Sequence, residues 1–405
     1  MRKLTLAVLA LLISLSATGY AQTDQQSPRL LLTPQRLRRL KRDRERQTVR
    51  WVNFENRVES VPDSPERGFE LALYYAITGD QARGREAIDW ILQPQHGDHR
   101  QLALVLDWCG PLLSDQQRKT LTQRAGTFVV TGAFERFTMG RDVLFSTIAA
   151  DRPVSPYTEE QTKPFIEELQ AGAFTDPQQL YAACEFLMTY RTAERTDLRE
   201  DAAHFFSNLP TEFLLSLKPD KVEHPDWITH IAALALIAVD PNLQGSQFLQ
   251  GWAMEDRQML REGPGVAYEL LWADPYLPGV GYQNLDPWVY DSDAGRLFAR
   301  NDWTPQACWI AISKKGVEDE HCASGWQHAS ANFGHLVLIP LTVPCVELPR
   351  RKGNEFAILW KLPPGQAVTF TADKDQHTAQ ADVAGMLQLG ANIGGKACLK
   401  EESKK

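Results

Sequence analysis

The strongest constraint in this sequence is a change of hydrophobic period near residue 262. Before it, apolar residues recur at helical spacing; after it, they alternate. Phe69, Leu73, Ala76 and Ile77 form one helical stripe, Thr78-Gly79-Asp80 interrupts it, and Ile88, Ile91 and Leu92 resume on a second helix. Leu102, Val105, Leu106 and Cys109 repeat the pattern until Gly110-Pro111. Start signals are frequent. Ser114 with Gln117, and Thr158 with Gln161, make capping boxes, and Asp176-Pro177 supplies an N-cap and an N1 proline. Pro225 opens a helix carrying Ile228, Ile231, Ala232 and Ala235. The recurrent unit is helix, short turn, helix, too uneven for a strict repeat, and it predicts a curved array or closed ring of helical hairpins.

Between residues 263 and 294, glycine, proline and aromatic residues crowd together and exclude regular helix. Beyond them Ile310 and Ile312 alternate with other residues, as do Phe356, Ile358 and Trp360, and Val368 and Phe370. Phe333 to Ile339 is a nearly continuous apolar run, the mark of a strand buried on both faces. The expectation is an α+β multidomain chain: a helical domain over 28–262, a connection over 263–294, a β-sandwich over 295–395 and a disordered tail over 396–405.

The N-terminus reads as an export signal over residues 1–21. Met1-Arg2-Lys3 is basic, Leu4 to Ala17 is apolar but short for a bilayer, and Gly19-Tyr20-Ala21 offers small residues for cleavage. No later stretch is long and apolar enough to span a membrane, so a periplasmic or secreted protein is expected. Six cysteines permit disulfides there, and sequence does not select among the pairings. Cys109 and Cys184 sit at apolar helical positions and read as buried thiols. The net charge of −8 argues against a nucleic-acid partner. Ten basic residues against three acidic ones between Arg29 and Arg57 make either a solvated helix face or a strip that attracts an acidic polymer.

Several stretches, in order along the chain, resemble the heparinase II/III-like proteins and neighbouring polysaccharide lyases. They are Arg29-Leu30-Leu31-Leu32-Thr33-Pro34, the Glu70–Leu92 hairpin, Leu106-Asp107-Trp108 with Leu113-Ser114-Asp115, and Gly295 to Trp303 with Trp309-Ile310-Ala311. The resemblance implies an (α/α) toroid followed by a C-terminal antiparallel β-sandwich. It also implies cleavage of an acidic, uronic-acid polysaccharide by β-elimination. A base takes the proton beside the carboxylate, a Tyr or His protonates the leaving oxygen, and a donor stabilises the developing charge. The chain departs from that pattern in lacking an Asn-His pair in its helical part. In the β-domain, Trp326 and Ser330 stand where the family's metal-binding cluster has His and Asp. No cofactor is required for such chemistry and no metal ligand is assigned; a divalent metal in the β-domain is the remaining expectation. His321, His328 and His335, seven apart, match no compact metal motif.

The candidate catalytic residues are His230, Tyr276, Tyr282 and Arg261. The candidate substrate-binding residues are Trp272, Tyr268, Trp288 and Arg141, because aromatic faces suit sugar rings and guanidinium groups grip carboxylates at two points. Each also has a structural reading: a half-buried histidine, packing between domains, or an ordinary ion pair. A glycoside hydrolase would instead need two carboxylates across a cleft, for which Glu185, Glu262 and Glu269 are available. A non-catalytic glycan-binding or surface-structural protein is the third possibility.

Overall fold

The computed structural model describes residues 28–96, 98–127, 136–154, 159–314, 316–321, 331–333, 336–348, 356–372, 374–390 and 393–400. The expected signal segment, the Thr158 cap, His328 and His335 lie outside them. Among the described residues, fourteen α-helices precede twelve strands. The helices are α1 (Pro34–Glu45), α2 (Val49–Ser60), α3 (Arg67–Thr78), α4 (Gln81–Leu92), α5 (His99–Trp108), α6 (Asp115–Gly126) and α7 (Phe137–Ala149). Then come α8 (Glu159–Gln170), α9 (Pro177–Glu194), α10 (Ala203–Ser216), α11 (Pro219–Glu223), α12 (Trp227–Val239), α13 (Gln244–Ala253) and α14 (Gly265–Trp272). The strands are β1 (Trp288–Asp291), β2 (Arg296–Arg300), β3 (Trp309–Ser313), β4 (Gly316–His321), β5 (Ala331–Phe333) and β6 (Leu336–Pro340). They continue as β7 (Cys345–Leu348), β8 (Phe356–Trp360), β9 (Ala367–Ala372), β10 (Asp375–Gln380), β11 (Leu387–Leu389) and β12 (Ile393–Leu399). No helix among the described residues is long and apolar enough to cross a membrane.

The chain forms two compact units. One comprises the described residues of Met1–Thr48, Val58–Val129 and Phe145–Pro153; the other comprises those of Val49–Arg57, Val130–Leu144 and Val154–Lys405. In the first unit, Gly79 takes a left-handed conformation (φ +78°) that ends α3, and the Asp80 side chain accepts the Ala82 and Arg83 amides to start α4. The capping box at Ser114 and Gln117 is present at the start of α6. Asp107 accepts the backbone amides of Arg29 and Leu30 at 2.8 and 2.9 Å, and Trp108 Nε1 donates to the Leu30 carbonyl at 2.9 Å. Two stretches that carried the family resemblance are therefore bonded to each other. The chemistry of Leu106-Asp107-Trp108 is to anchor the entry segment, whose orphan amides need acceptors once buried.

The second unit is layered. Three four-stranded sheets have the orders β1-β2-β3-β4, β11-β8-β6-β5 and β10-β9-β12-β7, and all pairs are antiparallel except β6 with β8. Along β6 and β8, alternate residues face opposite ways. Leu336, Leu338 and Ile358 pack with Leu297, Ala299, Ile310 and Ile312 of the first sheet. Val337, Ile339, Ala357 and Leu359 pack with Leu348, Val368 and Ala397 of the third. The middle sheet is covered on both faces, which explains the apolar run Leu336–Ile339.

The first sheet is also covered twice. Its other face carries Arg296, Phe298, Arg300 and Trp309. Arg296 binds Glu212 of α10 through Nε at 3.1 Å and Nη2 at 2.6 Å; Arg300 and Trp309 donate to the Leu217 and Leu215 carbonyls. Residues 396–399, assigned to the tail from sequence, end β12 instead. Lys396, Ala397 and Cys398 pair with Glu347, Val346 and Cys345, and a Cys345–Cys398 disulfide crosses the same pair of strands. Cys308 is disulfide-bonded as well, whereas Cys109 and Cys184 are free and buried.

Candidate functional site

Three helices of the second unit assemble the site. Asp176 caps α9 by accepting the Gln178 and Gln179 amides, and every residue from Leu180 to Tyr190 is buried. The helix is apolar nearly all round, as a central helix must be. The cap of α12 is Asp226, whose side chain accepts the Thr229 amide, so Pro225 precedes the helix rather than opening it. The eight residues of α14 are all buried, among them Glu269 in an otherwise uncharged run. Helix α12 packs against both α9 and α14.

A carboxylate buried in such surroundings must be compensated. Glu269, 1% exposed, accepts the Arg50 Nε–H at 2.7 Å and the Leu260 amide at 2.6 Å. Burial works against its ionisation. His230, Arg50 and the Leu260 amide outweigh burial and hold the carboxyl below the usual carboxylate range. His230 Nε2 lies 3.6 Å from Glu269 Oε2, just beyond hydrogen-bond distance, and neither ring nitrogen of this buried imidazole has a hydrogen-bond partner. Nε2 therefore faces the carboxylate at ion-pair distance, while Nδ1 faces no hydrogen-bond partner.

A second polar chain runs from α14 to α9. Trp272 Nε1 donates to the Tyr181 hydroxyl at 3.1 Å, Tyr181 donates to Glu185, and Arg141 Nη1 donates to Glu185 at 3.1 Å. Tyr268 stands edge-on to Tyr181, with centroids 5.6 Å apart, and meets Trp227 at 5.9 Å. Tyr268, Glu269 and Trp272 share one short helix, so α14 joins the two polar chains. Four of the sequence candidates, His230, Tyr268, Trp272 and Arg141, belong to this connected set.

The other four lie elsewhere. The Arg261 side chain is 56% exposed and paired with Asp256. Tyr276 is 53% exposed in the turn after α14. Tyr282 is buried. Its hydroxyl accepts from Arg257 Nη2 at 3.1 Å, its ring meets Trp303 edge-on, and burial pushes its phenol upward. Trp288 is in β1, against Phe356 of the middle sheet.

Sequence reasoning missed Arg50 and Tyr181, and it left Glu185 and Glu269 unpaired. Arg50 is 219 residues from its partner, beyond any local pattern. The two glutamates did carry a signal: a single charge inside an apolar helix is buried only when it is paired. Glu262, the third carboxylate held in reserve, lies just before α14.

An open cleft of about 860 Å³ lies elsewhere in the same unit and contains none of the eight candidates. Glu167, Asp201, Asp291 and Asp293 line it, with His204 and Lys314. No group of three or more His, Cys, Asp or Glu among the described residues is arranged to hold a metal ion. No protein-family model matches the chain, and no curated protein matches it either.

Proposed function

We propose that the chain is an exported polysaccharide lyase-like protein that cleaves a uronic-acid glycan by β-elimination. In this proposal the hairpins form an (α/α) toroid and the sheets derive from a β-sandwich. One observation carries it: an imidazole with Nδ1 unpartnered and Nε2 facing an ionised, arginine-held carboxylate lies on helices that also carry Tyr268 and Trp272, and Arg141 of α7 joins them through Glu185. A base that must abstract a carbon-bound proton needs a free nitrogen, and a neighbouring anion stabilises the imidazolium formed. Tyr268 is the group of the set suited to protonate the leaving oxygen. Arg141 would meet the sugar carboxylate by exchanging part of its bond to Glu185. The disulfides support export, since such bonds persist in oxidising compartments.

Incubation with a panel of uronic-acid polymers under ultraviolet detection tests the proposal, because elimination leaves an unsaturated, absorbing sugar. A second reading, hydrolysis of a neutral glycan, is favoured by the cleft with its four carboxylates. The release of reducing ends without absorbance would select it. Glu269 does not suit a hydrolase's general acid, because its surroundings keep it ionised.

A further inference from the structure

Of the six aromatic rings on α9, α12 and α14, five are closed off. Tyr181, Phe186, Tyr190, Tyr268 and Trp272 are all buried, so none of them offers a face to a sugar. Trp227, the first residue of α12, is the exception at 37% exposed. It stands three residues before His230, so the two side chains share one face of the helix. Across the packed helices, Trp227 meets Tyr268 just as His230 meets Glu269. The indole is thus the solvent-facing end of the row that contains the buried imidazole.

The indole is also held in place. A Cβ built on Gly265, at the start of α14, would lie 3.2 Å from both Cβ and Cε3 of Trp227 and 2.5 Å from Leu260 Cδ1. The ring rests where glycine leaves room for it, backed by Tyr268. A flat apolar face fixed beforehand loses little side-chain entropy when a ligand covers it. The neighbouring polar groups are exposed: Lys221 and Asp226 form an ion pair at 3.4 Å, with side chains 42% and 47% exposed. A pair so solvated contributes little to stability; Asp226 stays in place as the cap of α12, while the Lys221 ammonium can turn toward a ligand's carboxylate.

We infer that Trp227 is the stacking platform on which a sugar ring of the glycan lies. This rests on the functional proposal above and names the residue that holds the substrate. Removing one ring contact should weaken binding about tenfold. The affinity of wild type, Trp227→Ala and Trp227→Phe for polygalacturonate is read by affinity electrophoresis, and turnover by ultraviolet absorbance. Thermal melting shows that each variant is folded. The expected result is a roughly tenfold loss of affinity for Trp227→Ala, with KM raised and kcat little changed, and recovery of most of the affinity in Trp227→Phe.

If wild type turns the polymer over and Trp227→Ala matches it in affinity and KM, the platform is overturned and the lyase proposal stands. If wild type binds without forming an absorbing product and Trp227→Ala loses that binding, the platform stands and elimination falls. If folded wild type binds neither polygalacturonate nor any other uronic-acid polymer, both fall.

Discussion

Replacing Arg50 with alanine removes the guanidinium 2.7 Å from Glu269 and leaves that carboxylate, 1% exposed, with only the Leu260 amide and His230 beside it. Breaking one side of a buried pair costs about 3–5 kcal/mol, because the remaining charge loses its counter-charge without regaining water. Arg50 is itself 16% exposed and the Leu260 bond survives, so the low end, about 3 kcal/mol, is expected. The double variant Arg50→Ala/Glu269→Gln carries no stranded charge and should be more stable than the single one. The pH dependence follows from the depressed carboxyl. A group whose folded-state pKa lies below its ordinary 4.5 stabilises the fold above that value, and the contribution is lost as pH falls through the folded one. The penalty of Arg50→Ala should therefore be full near neutrality and shrink in acid, where protonation discharges Glu269. Urea denaturation followed by circular dichroism measures both. Equal destabilisation in the single and double variants, or a penalty that does not change with pH, would refute the reasoning.

Other consequences are checked more simply. His230→Gln should retain the wild-type melting temperature to within a few degrees and lose about a hundredfold or more in turnover, the usual contribution of a general base, in the ultraviolet assay. The Cys345–Cys398 bond closes a 53-residue separation, so Cys345→Ser/Cys398→Ser should lower stability by about 4 kcal/mol in chemical denaturation. Burial pushes the Cys109 and Cys184 thiols far above their ordinary range. Mass spectrometry after maleimide treatment should find both unmodified in the native protein and both labelled after unfolding.

The helical hairpins and the strands were legible because period and capping are local. The stripe from Phe69 to Ile77, the turn at Gly79-Asp80, the box at Ser114 and the cap at Asp176 all depend on neighbours within a few residues. Layering was not legible. Alternation says which residues share a face of β2, but not whether that face meets water. Arg296 and Arg300 are buried against α10 and the chain leaving it, where Arg296 pairs with Glu212 and Arg300 donates Nη2 to the Leu217 carbonyl. Likewise the apolar run of β6 announces two covered faces without saying what covers them. The residues expected as tail pair with β7 and β9 as strand β12, and the disulfide that crosses this ladder is one of many pairings that six cysteines allow.

For the site, residue type pointed to His230, Tyr268, Trp272 and Arg141, which occupy one connected set. The same reasoning also selected Arg261 and Tyr276, which face solvent. An aromatic or arginine side chain serves a surface turn as readily as a buried network, and only the fold decides between them.

Elimination requires that the proton at C5 of the uronic acid leave with the base, and this is the point on which the functional account depends. A polymer deuterated at C5 measures it directly. The account predicts an absorbing product that has lost its deuterium, formed by wild type more slowly than from the unlabelled polymer and not formed by His230→Gln. Cleavage with deuterium retained at C5, or equal product from His230→Gln, would contradict it.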